Sequence, residues 1–454
     1  MSARQNPLGQ WRARTTFVLA LAAAAVGMGN LWRFSYLLGT QGGGAFMLTY
    51  LACLLLVAVP VLVAEVVLGT HGRGAPVDAL RWTSDRSLLS RGWVWLAVLA
   101  ALTGLLVLSY LAVIAGWSMA YAWYLYSGHF SSLSAAQAGA EFQAFLGDPT
   151  RLGFWQSGFL LLVGMVVALG VRGIGLLVWL VVPVLLFLLA FLARFGFEHG
   201  DVAAAGDFLF SIKWVDFTRE SILLAMGHAF FTLGIGVGAG ISYGGYAPRR
   251  IPIGRSVLAV AVFDTLLALL AGLAVYPLVF ANNIAPTSGP ALIFVSLPYA
   301  FGNILQGDVL GALFFGVVGV AALGSAVALL EPAIGSITQR LGVRRPFAVL
   351  LVLGGVWTLG QAVIGGIAAD EGLAWYGNRN LLAFLDWLTA AVLMPLVSLL
   401  TAVYVGWRLR PDVLRAQFSR ESAASFALWR ALMRYLVPVV MVVLLAFGLL
   451  AVEF

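Results

Sequence analysis

Long apolar runs separated by short polar stretches make up most of the chain. A helix needs about 20 apolar residues to cross the hydrocarbon core of a bilayer, and an open strand cannot satisfy its backbone hydrogen bonds there. The pattern therefore predicts an all-α polytopic membrane protein. We number its eleven predicted spans in chain order: 15–39, 45–69, 93–127, 153–171, 174–196, 221–246, 255–281, 306–340, 346–368, 381–408 and 428–451.

The composition argues against several other classes of protein. Of the 454 residues, 62% are hydrophobic and only 10% are charged, whereas a soluble domain carries about 25% charged residues. A soluble enzyme, a nucleic-acid-binding protein and a disordered chain are therefore disfavoured. The single cysteine, Cys53, cannot support a disulfide framework. The four histidines are scattered along the sequence, with no metal-ligand cluster and no nucleophile–base set, which argues against a membrane enzyme.

The distribution of basic residues predicts the orientation of the spans. Most of the 26 Lys and Arg residues fall in alternate loops, and loops rich in these residues stay in the cytoplasm. We therefore expect a cytoplasmic N-terminus and, because the number of spans is odd, an external C-terminus. Two external segments, 197–220 and 282–305, are longer than turns. Prolines punctuate the second segment, which predicts either a re-entrant or capping hairpin or a plain surface loop.

Two clusters of glycine interrupt spans in matching places. Span 1 contains Gly27 and Gly29 near its middle, and span 6 contains four glycines within 234–240. Span 6 opens the second block of five spans, so the two clusters occupy corresponding positions in two halves. Such a pair indicates a midplane binding site in an inverted-repeat transporter. The chain, 1–454, is then one transporter domain with a first repeat (15–196), a second repeat (221–408) and an additional helix (428–451).

Ionisable side chains inside the predicted spans are further candidates for function. Charged groups in the bilayer are costly and are usually paired or functional. Five such side chains occur in the predicted spans: Arg33, Glu65, Asp264, Glu331 and Asp386. The alternative for each is a structural ion pair or a polar contact near the membrane surface.

Three motifs carry a resemblance to a known family. They are GNLWRFSY at 29–36, GGGAF at 42–46 and FFTL at 230–233, directly before the glycines of span 6. With these motifs the chain resembles the neurotransmitter:sodium symporter family, and its eleven spans resemble the shorter bacterial members. The resemblance implies the five-plus-five leucine-transporter fold, inward transport driven by the sodium gradient, and a location in the bacterial cytoplasmic membrane.

The resemblance also implies two sodium sites. The first would use the carbonyl of Ala25 and the side chains of Asn30, Thr232 and Asp264. Because Asp264 supplies a fixed negative charge beside the cation, we expect transport without chloride. The second site would use the carbonyls of Ala23, Val26 and Ala321 with the hydroxyl of Ser325. Gly324 stands where the family carries another side-chain oxygen, so the count of one or two sodium ions stays open.

By the same mapping, the pocket and its gates can be assigned. Arg33 and Asp386 would pair as the outer gate, with Phe231 as an aromatic lid. His228 would either make transport sensitive to pH or stay neutral and hydrogen-bonded, and Glu65 would accept hydrogen bonds from amides of span 6. The predicted substrate pocket is lined by Ala24, Ala25, Met28, Gly29, Val107, Leu111, Phe231, Thr232, Gly234, Val237, Ser325 and Leu329.

Three departures from the family pattern bear on substrate and gating. Ala24 stands where the monoamine members of the family carry a carboxylate, so it cannot neutralise an amine, which favours a zwitterion. Leu111 replaces the family's tyrosine, and Tyr110 points elsewhere on the helix. Leu8 and Gln339 replace the family's inner charge pair, so inner closure would rest on other contacts such as those of Trp11 and Tyr246.

Together these features favour a neutral, hydrophobic or aromatic amino acid as the substrate. An atypical zwitterion (taurine or a β-amino acid) and a non-transporting paralogue that only binds substrate remain as alternatives. The expected partners are the small zwitterion, sodium and the lipid bilayer, without nucleic acid, and the sequence does not determine an oligomeric state.

Overall fold

A computed structural model describes residues 6–31, 33–281, 292–304, 306–369 and 380–450, and of Met28 and Leu292 the backbone alone. Within these residues the chain is helical, apart from an isolated bridge between Gly43 and Ile212. Nine uninterrupted helices are long and apolar enough to cross a membrane. They are Gly44–Gly72, Arg91–Tyr126, Pro149–Ala168, Gly170–His199, Ile253–Ala281, Gly307–Leu341, Arg345–Ala368, Leu381–Arg408 and Ala423–Leu450. These nine helices are spans 2–5 and 7–11 of the prediction.

The two remaining spans, 1 and 6, are interrupted as predicted. Span 1 consists of Arg14–Ala25 and Gly29–Thr40, which are bent by 69° relative to each other. Span 6 consists of Arg219–Thr232 and Ala239–Tyr246, each too short to cross a bilayer alone. By length and composition the described residues thus supply up to ten spans, and the divided span 6 is the eleventh of the prediction.

Glycine in the left-handed region causes the break in span 6. Gly234, Gly236 and Gly238 have φ values of 58°, 82° and 76°, a region that residues with a side chain rarely adopt. The helix therefore ends at Thr232 and a new helix begins at Ala239. The break exposes backbone groups in the interior of the protein, where they need partners or a ligand.

Shorter helices connect the spans. They are Pro76–Arg86, Ala135–Leu146, Val202–Phe210, Leu297–Gly302 and Pro411–Arg415. The helix Val202–Phe210 lies in the predicted external segment 197–220. The predicted hairpin at 282–305 lies partly outside the described residues, and its described part forms the π-helical turn Leu292–Ser296 and the helix Leu297–Gly302.

Close backbone packing places the broken span 6 beside spans 2 and 3. A Cβ atom at Gly69 of span 2 would overlap the carbonyl of Ile241 in span 6, so only glycine permits this approach. A Cβ atom at Gly104 of span 3 would lie 3.1 Å from the carbonyl oxygen of Leu329 in span 8. The same Cβ atom would lie 3.4 Å from the carbonyl oxygen of Val237, so span 3 packs against the break of span 6 as well as against span 8.

Candidate functional site

A cavity lies between the two helix breaks and is mostly apolar. Its lining is Ala24, Ala25, Gly27, Gly29, Asn30, Val107, Leu111, Phe231, Thr232, Gly234, Val237, Ala239, Ser325, Ala328, Leu329 and Met394. All the predicted lining residues are in this set except Met28, whose side chain lies outside the described residues. Five further residues line the cavity: Gly27, Asn30, Ala239, Ala328 and Met394. Asn30 was predicted as a sodium ligand, Gly27 and Ala239 lie in the two predicted helix breaks, and Ala328 lies one helical turn from Ser325. Nothing in the sequence indicated Met394.

The side chains predicted for the first sodium site form one buried cluster. Asn30 Nδ2 donates to Asp264 Oδ1 at 2.6 Å. The Thr232 hydroxyl donates to Asp264 Oδ2 at 2.7 Å and lies 3.3 Å from Asn30 Oδ1. All three side chains are buried, and Asp264 is 0% exposed. Spans 1, 6 and 7 therefore meet at a single carboxylate.

The chemistry of this cluster fits a sodium ion. An amide oxygen, a hydroxyl and a carboxylate are hard oxygen ligands, which hard cations prefer. The first helix of span 1 ends at Ala25, directly before the extended residue Val26, so the last carbonyl groups of this helix are not all used within it. Asn30, Thr232 and Asp264 would hold the ion together with the Ala25 carbonyl, and the ion would supply positive charge at the edge of the pocket.

Glu65 of span 2 forms hydrogen bonds with the backbone at the break of span 6. Its carboxylate accepts hydrogen bonds from Gly236 N at 2.7 Å and from Gly240 N at 3.2 Å. Glu65 is only 1% exposed, so these two amides are its partners in the protein interior. The hydrogen bonds predicted for Glu65 are confirmed.

The region predicted for the second sodium site is a direct contact between spans 1 and 8. The Ser325 hydroxyl donates to the carbonyl of Val26 at 3.3 Å. A Cβ atom at Gly324 would lie 2.6 Å from the carbonyl oxygen of Ala23, so the two backbones approach more closely than any other residue would allow. Among the predicted ligands of this site, Ser325 is the single side-chain oxygen.

Replacing Gly324 by serine is therefore expected to destabilise the protein. The added Cβ would collide with a backbone oxygen, and overpacking of this kind typically costs about 1–3 kcal/mol. Thermal unfolding of the purified protein measures the effect. Gly316→Ser on the same helix is the matched control, because a Cβ at Gly316 meets nothing within 4 Å. Equal melting temperatures for the two variants would contradict the close contact.

The predicted outer gate has its residues beside the cavity, but Arg33 and Asp386 form no ion pair within 4 Å. Arg33 instead lies over the ring of Phe231, with 5.9 Å between its guanidinium carbon and the ring centroid. Asp386 accepts a hydrogen bond from the Tyr110 hydroxyl at 3.3 Å, and the same hydroxyl lies 3.3 Å from that of Thr389. The pairing of Arg33 with Asp386 therefore stays a prediction.

The structure also places two residues near the predicted gate, Tyr110 and His228. Tyr110 points away from the cavity toward span 10, while Leu111 lines the cavity, as the helical spacing predicted. His228 is buried against Phe34, with 5.3 Å between ring centroids. Neither of its ring nitrogens has a hydrogen-bond partner in the described part of the chain, so both roles considered for His228 stay predictions.

At the end of the bundle that holds Tyr246, the family's inner charge pair is missing and a different set of contacts joins the helices. The side chain of Glu331 accepts hydrogen bonds from the Tyr246 hydroxyl and from the Arg345 guanidinium. Glu331 is 0% exposed and the Arg345 side chain is 14% exposed. Arg345 Nε also donates to the carbonyl of Val167 at 2.7 Å. One buried ion pair thus ties together spans 4, 6, 8 and 9.

Aromatic packing adds to these contacts, as the sequence predicted for Trp11 and Tyr246. The backbone N–H of Trp11 donates to the Tyr246 carbonyl at 2.9 Å, and its indole N–H donates to the Val171 carbonyl at 2.9 Å. The Trp11 ring meets the rings of Tyr243 and Tyr246 edge-on, at centroid distances of 5.4 and 5.6 Å. Gln339, which replaces a charge, accepts a hydrogen bond from the backbone N–H of Ala75 at 2.8 Å.

Comparisons with known proteins agree on one family. Residues 8–144 and 155–453 match the family described as "Sodium:neurotransmitter symporter family". The chain is 32% identical to the "Uncharacterized sodium-dependent transporter YhdH" of Bacillus subtilis, over 97% of both chains. It is 27% identical to an "Uncharacterized sodium-dependent transporter" of Haemophilus influenzae, over 96% of both. The crystal structure of MhsT in complex with L-phenylalanine superposes with a TM-score of 0.88 at 31% identity, covering 98% of this chain and 100% of MhsT.

Proposed function

Since this chain belongs to the sodium:neurotransmitter symporter family, we propose that it imports a neutral, hydrophobic or aromatic amino acid together with sodium. It is a sodium-dependent multi-pass membrane transporter with the leucine-transporter fold, not an enzyme. One observation carries the finer proposal. The buried cluster of Asn30, Thr232 and Asp264 adjoins an apolar cavity at the two helix breaks.

The cavity supports an apolar side chain on the substrate. Val107, Val237 and Leu329 offer an apolar wall, and Gly234 leaves space beside it. Gly27 and Gly29 at the break of span 1 also line the cavity, and backbone N–H groups that a helix break leaves free favour an anion. A substrate carboxylate near the sodium cluster and an apolar tail against the wall satisfy both features. MhsT, with 31% identity, is described in complex with L-phenylalanine, which fits the same class of substrate.

Asp264 supports transport that needs no chloride. A buried carboxylate next to a cation supplies a fixed negative charge, and burying an unpaired charge is costly. The sodium ion would balance Asp264, while a mobile anion would add a second negative charge to the same place. The cation and the carboxylate therefore form a neutral pair without chloride.

The contact between spans 1 and 8 supports coupling to a single sodium ion. The one side-chain oxygen of the second site, on Ser325, already donates to Val26, and Gly324 occupies the space of a further ligand. A hard cation needs a nearly complete shell of oxygens to replace its water. We therefore assign the coupling ion to the Asp264 cluster.

The location and orientation follow from the loops. The ends of the spans that carry most of the arginines should face the cytoplasm, and two of the relatives above are bacterial. We therefore assign the protein to the bacterial cytoplasmic membrane with its N-terminus inside and its C-terminus outside.

Uptake into proteoliposomes tests the proposal. Purified protein is reconstituted, and uptake of radiolabelled phenylalanine, tryptophan, leucine and taurine is measured with external sodium or potassium, as chloride or gluconate salts. We expect concentrative uptake of an apolar amino acid in sodium, and the rate of uptake should be the same when gluconate replaces chloride. The Hill coefficient for sodium should be about 1, the value for a single coupled ion.

Other results of the same assay would replace the proposal. Uptake of taurine alone would favour the atypical zwitterion, consistent with the missing hydroxyl at Leu111. Ligand binding in sodium without any concentrative uptake would favour a non-transporting paralogue. A thermal shift measured on the same preparation separates these outcomes from a protein that has lost its fold.

A further inference from the structure

Spans 10 and 11 contact each other closely at Trp407, near the ends that carry basic residues. The indole N–H of Trp407 donates to the carbonyl of Arg434 at 3.0 Å. Next to it, a Cβ atom at Gly406 would lie 2.9 Å from the carbonyl oxygen of Met433, so the two backbones touch. This end of the bundle is therefore a fixed surface formed by two helices.

Two arginines on span 11 lie on this surface without an anionic partner. The guanidinium of Arg434 lies over the Trp407 ring at 4.4 Å and near the Tyr435 ring at 5.6 Å. Arg430 lies one helical turn earlier. The Nε atoms of Arg430 and Arg434 are buried and have no hydrogen-bond partner, and neither arginine forms an ion pair with any residue that the structure describes.

The acidic residues of the same region are already engaged. Asp412 pairs with Arg410 at 2.9 Å, and the hydrogen bond from Arg410 lowers the pKa of the Asp412 carboxyl. Glu421 Oε1 accepts a hydrogen bond from the backbone N–H of Gly254 at 3.0 Å, while its Oε2 has no hydrogen-bond partner among the described residues. Neither carboxylate pairs with Arg430 or Arg434 in the described part of the chain, so the terminal Nη groups of the two arginines, rather than their buried Nε atoms, are left for an acceptor outside the protein.

The surroundings indicate what supplies that acceptor. Trp407 and Tyr435 are 52% and 60% exposed, and half-exposed Trp and Tyr mark the level of lipid headgroups. Exposed apolar side chains continue from Tyr435 along span 11 toward the membrane centre, at Val439 and Val442. A phospholipid matches both features, because its phosphate would lie at the arginines and its acyl chains along the exposed apolar side chains of span 11. A free phosphate would leave these apolar side chains without a partner.

We propose that Arg430, Arg434, Trp407 and Tyr435 form a binding site for an anionic phospholipid. Stacking on the indole fixes the plane of the Arg434 guanidinium and leaves its edge free for two hydrogen bonds to phosphate oxygens. The aromatic rings pack against the glycerol region of the lipid, and Val439 and Val442 contact the acyl chain. Basic pockets between helices at the cytoplasmic side bind anionic headgroups in this way.

Lipid binding to purified protein tests the site. The full chain in neutral detergent is mixed with phosphatidylglycerol or phosphatidylcholine, or with inorganic phosphate alone, and bound lipid is counted by native mass spectrometry alongside thermal unfolding. We expect phosphatidylglycerol to stay bound and to raise the melting temperature more than phosphatidylcholine does, with no effect of inorganic phosphate.

Variants locate the binding. The double variant R430Q/R434Q should weaken phosphatidylglycerol binding roughly 10-fold or more. The reason is that each basic residue near the headgroups attracts anionic lipid electrostatically, and this variant removes two of them. R410Q is the control for the loss of one positive charge, because it removes the charge of an arginine that is already paired with Asp412. Equal binding of the two phospholipids, or an equal loss in R410Q, would overturn the proposal. If the double variant does not fold, R434K, which keeps the charge and loses the planar stack, should still bind phosphatidylglycerol measurably less well.

Discussion

Replacing Asp264 by asparagine is expected to weaken sodium-driven uptake strongly in chloride-free medium. The carboxylate is fully buried and accepts hydrogen bonds from Asn30 and Thr232, so its charge is directed at the position assigned to the cation. Interactions with a charged group contribute about 1.5–3 kcal/mol each. The sodium concentration for half-maximal uptake should therefore rise roughly 10- to 100-fold.

Repeating the uptake assay with chloride tests whether the negative charge of Asp264 is the property that matters. If the negative charge is what Asp264 provides, chloride should restore part of the uptake of D264N and should leave the wild-type protein unchanged. Thr265→Val is the matched control, since it removes the neighbouring buried hydroxyl, which lies 3.3 Å from that of Tyr50, without changing the charge. Normal sodium dependence of D264N in gluconate would remove Asp264 from the sodium site.

Replacing Arg345 by glutamine is expected to loosen the end of the bundle at which it pairs with Glu331 and to destabilise the protein. Glu331 is 0% exposed, and Arg345 is its cationic partner. Removing one member of a buried ion pair leaves an uncompensated charge and costs about 3–5 kcal/mol. Thermal unfolding should show a large fall in melting temperature, and uptake should fall with it.

The double variant R345Q/E331Q distinguishes loss of the pair from loss of the arginine alone. With both charges gone, no buried charge is stranded, so much of the stability should return. Arg344→Gln removes the adjacent exposed arginine and should leave the melting temperature unchanged. A double variant that is as unstable as R345Q would show that Arg345 acts through its hydrogen bond to Val167 instead.

The sequence predicted the elements that depend on local patterns. Apolar runs of sufficient length predicted the spans, because a bilayer admits only helices or closed barrels. The glycines of span 6 predicted the break, since positive φ values favour a residue without a side chain. Asn30, Thr232 and Asp264 could be named from motifs, and the structure brings these three side chains together.

The tertiary structure decided the contacts between residues that are distant in the chain. Met394 joins the cavity from span 10, and Tyr110 turns to Asp386, 276 positions away. The sequence places Glu331 inside a predicted span, whereas Arg345 falls between the predicted spans 306–340 and 346–368. Their pairing depends on how spans 8 and 9 cross, and hydropathy does not specify which faces of two apolar helices meet.

The same limit explains the two positions that bear most on ion coupling and lipid binding. The sequence shows that Gly324 lacks a hydroxyl, but only the packed helices bring the Ala23 carbonyl against it. The charges of Arg430 and Arg434 are evident from the sequence, whereas their stacking surface and lack of acidic partners arise from the packing of span 11 on Trp407. Residue types and spacings determine which groups enter the membrane, while close packing determines which groups they meet, because lipid-facing and protein-facing apolar surfaces are chemically alike.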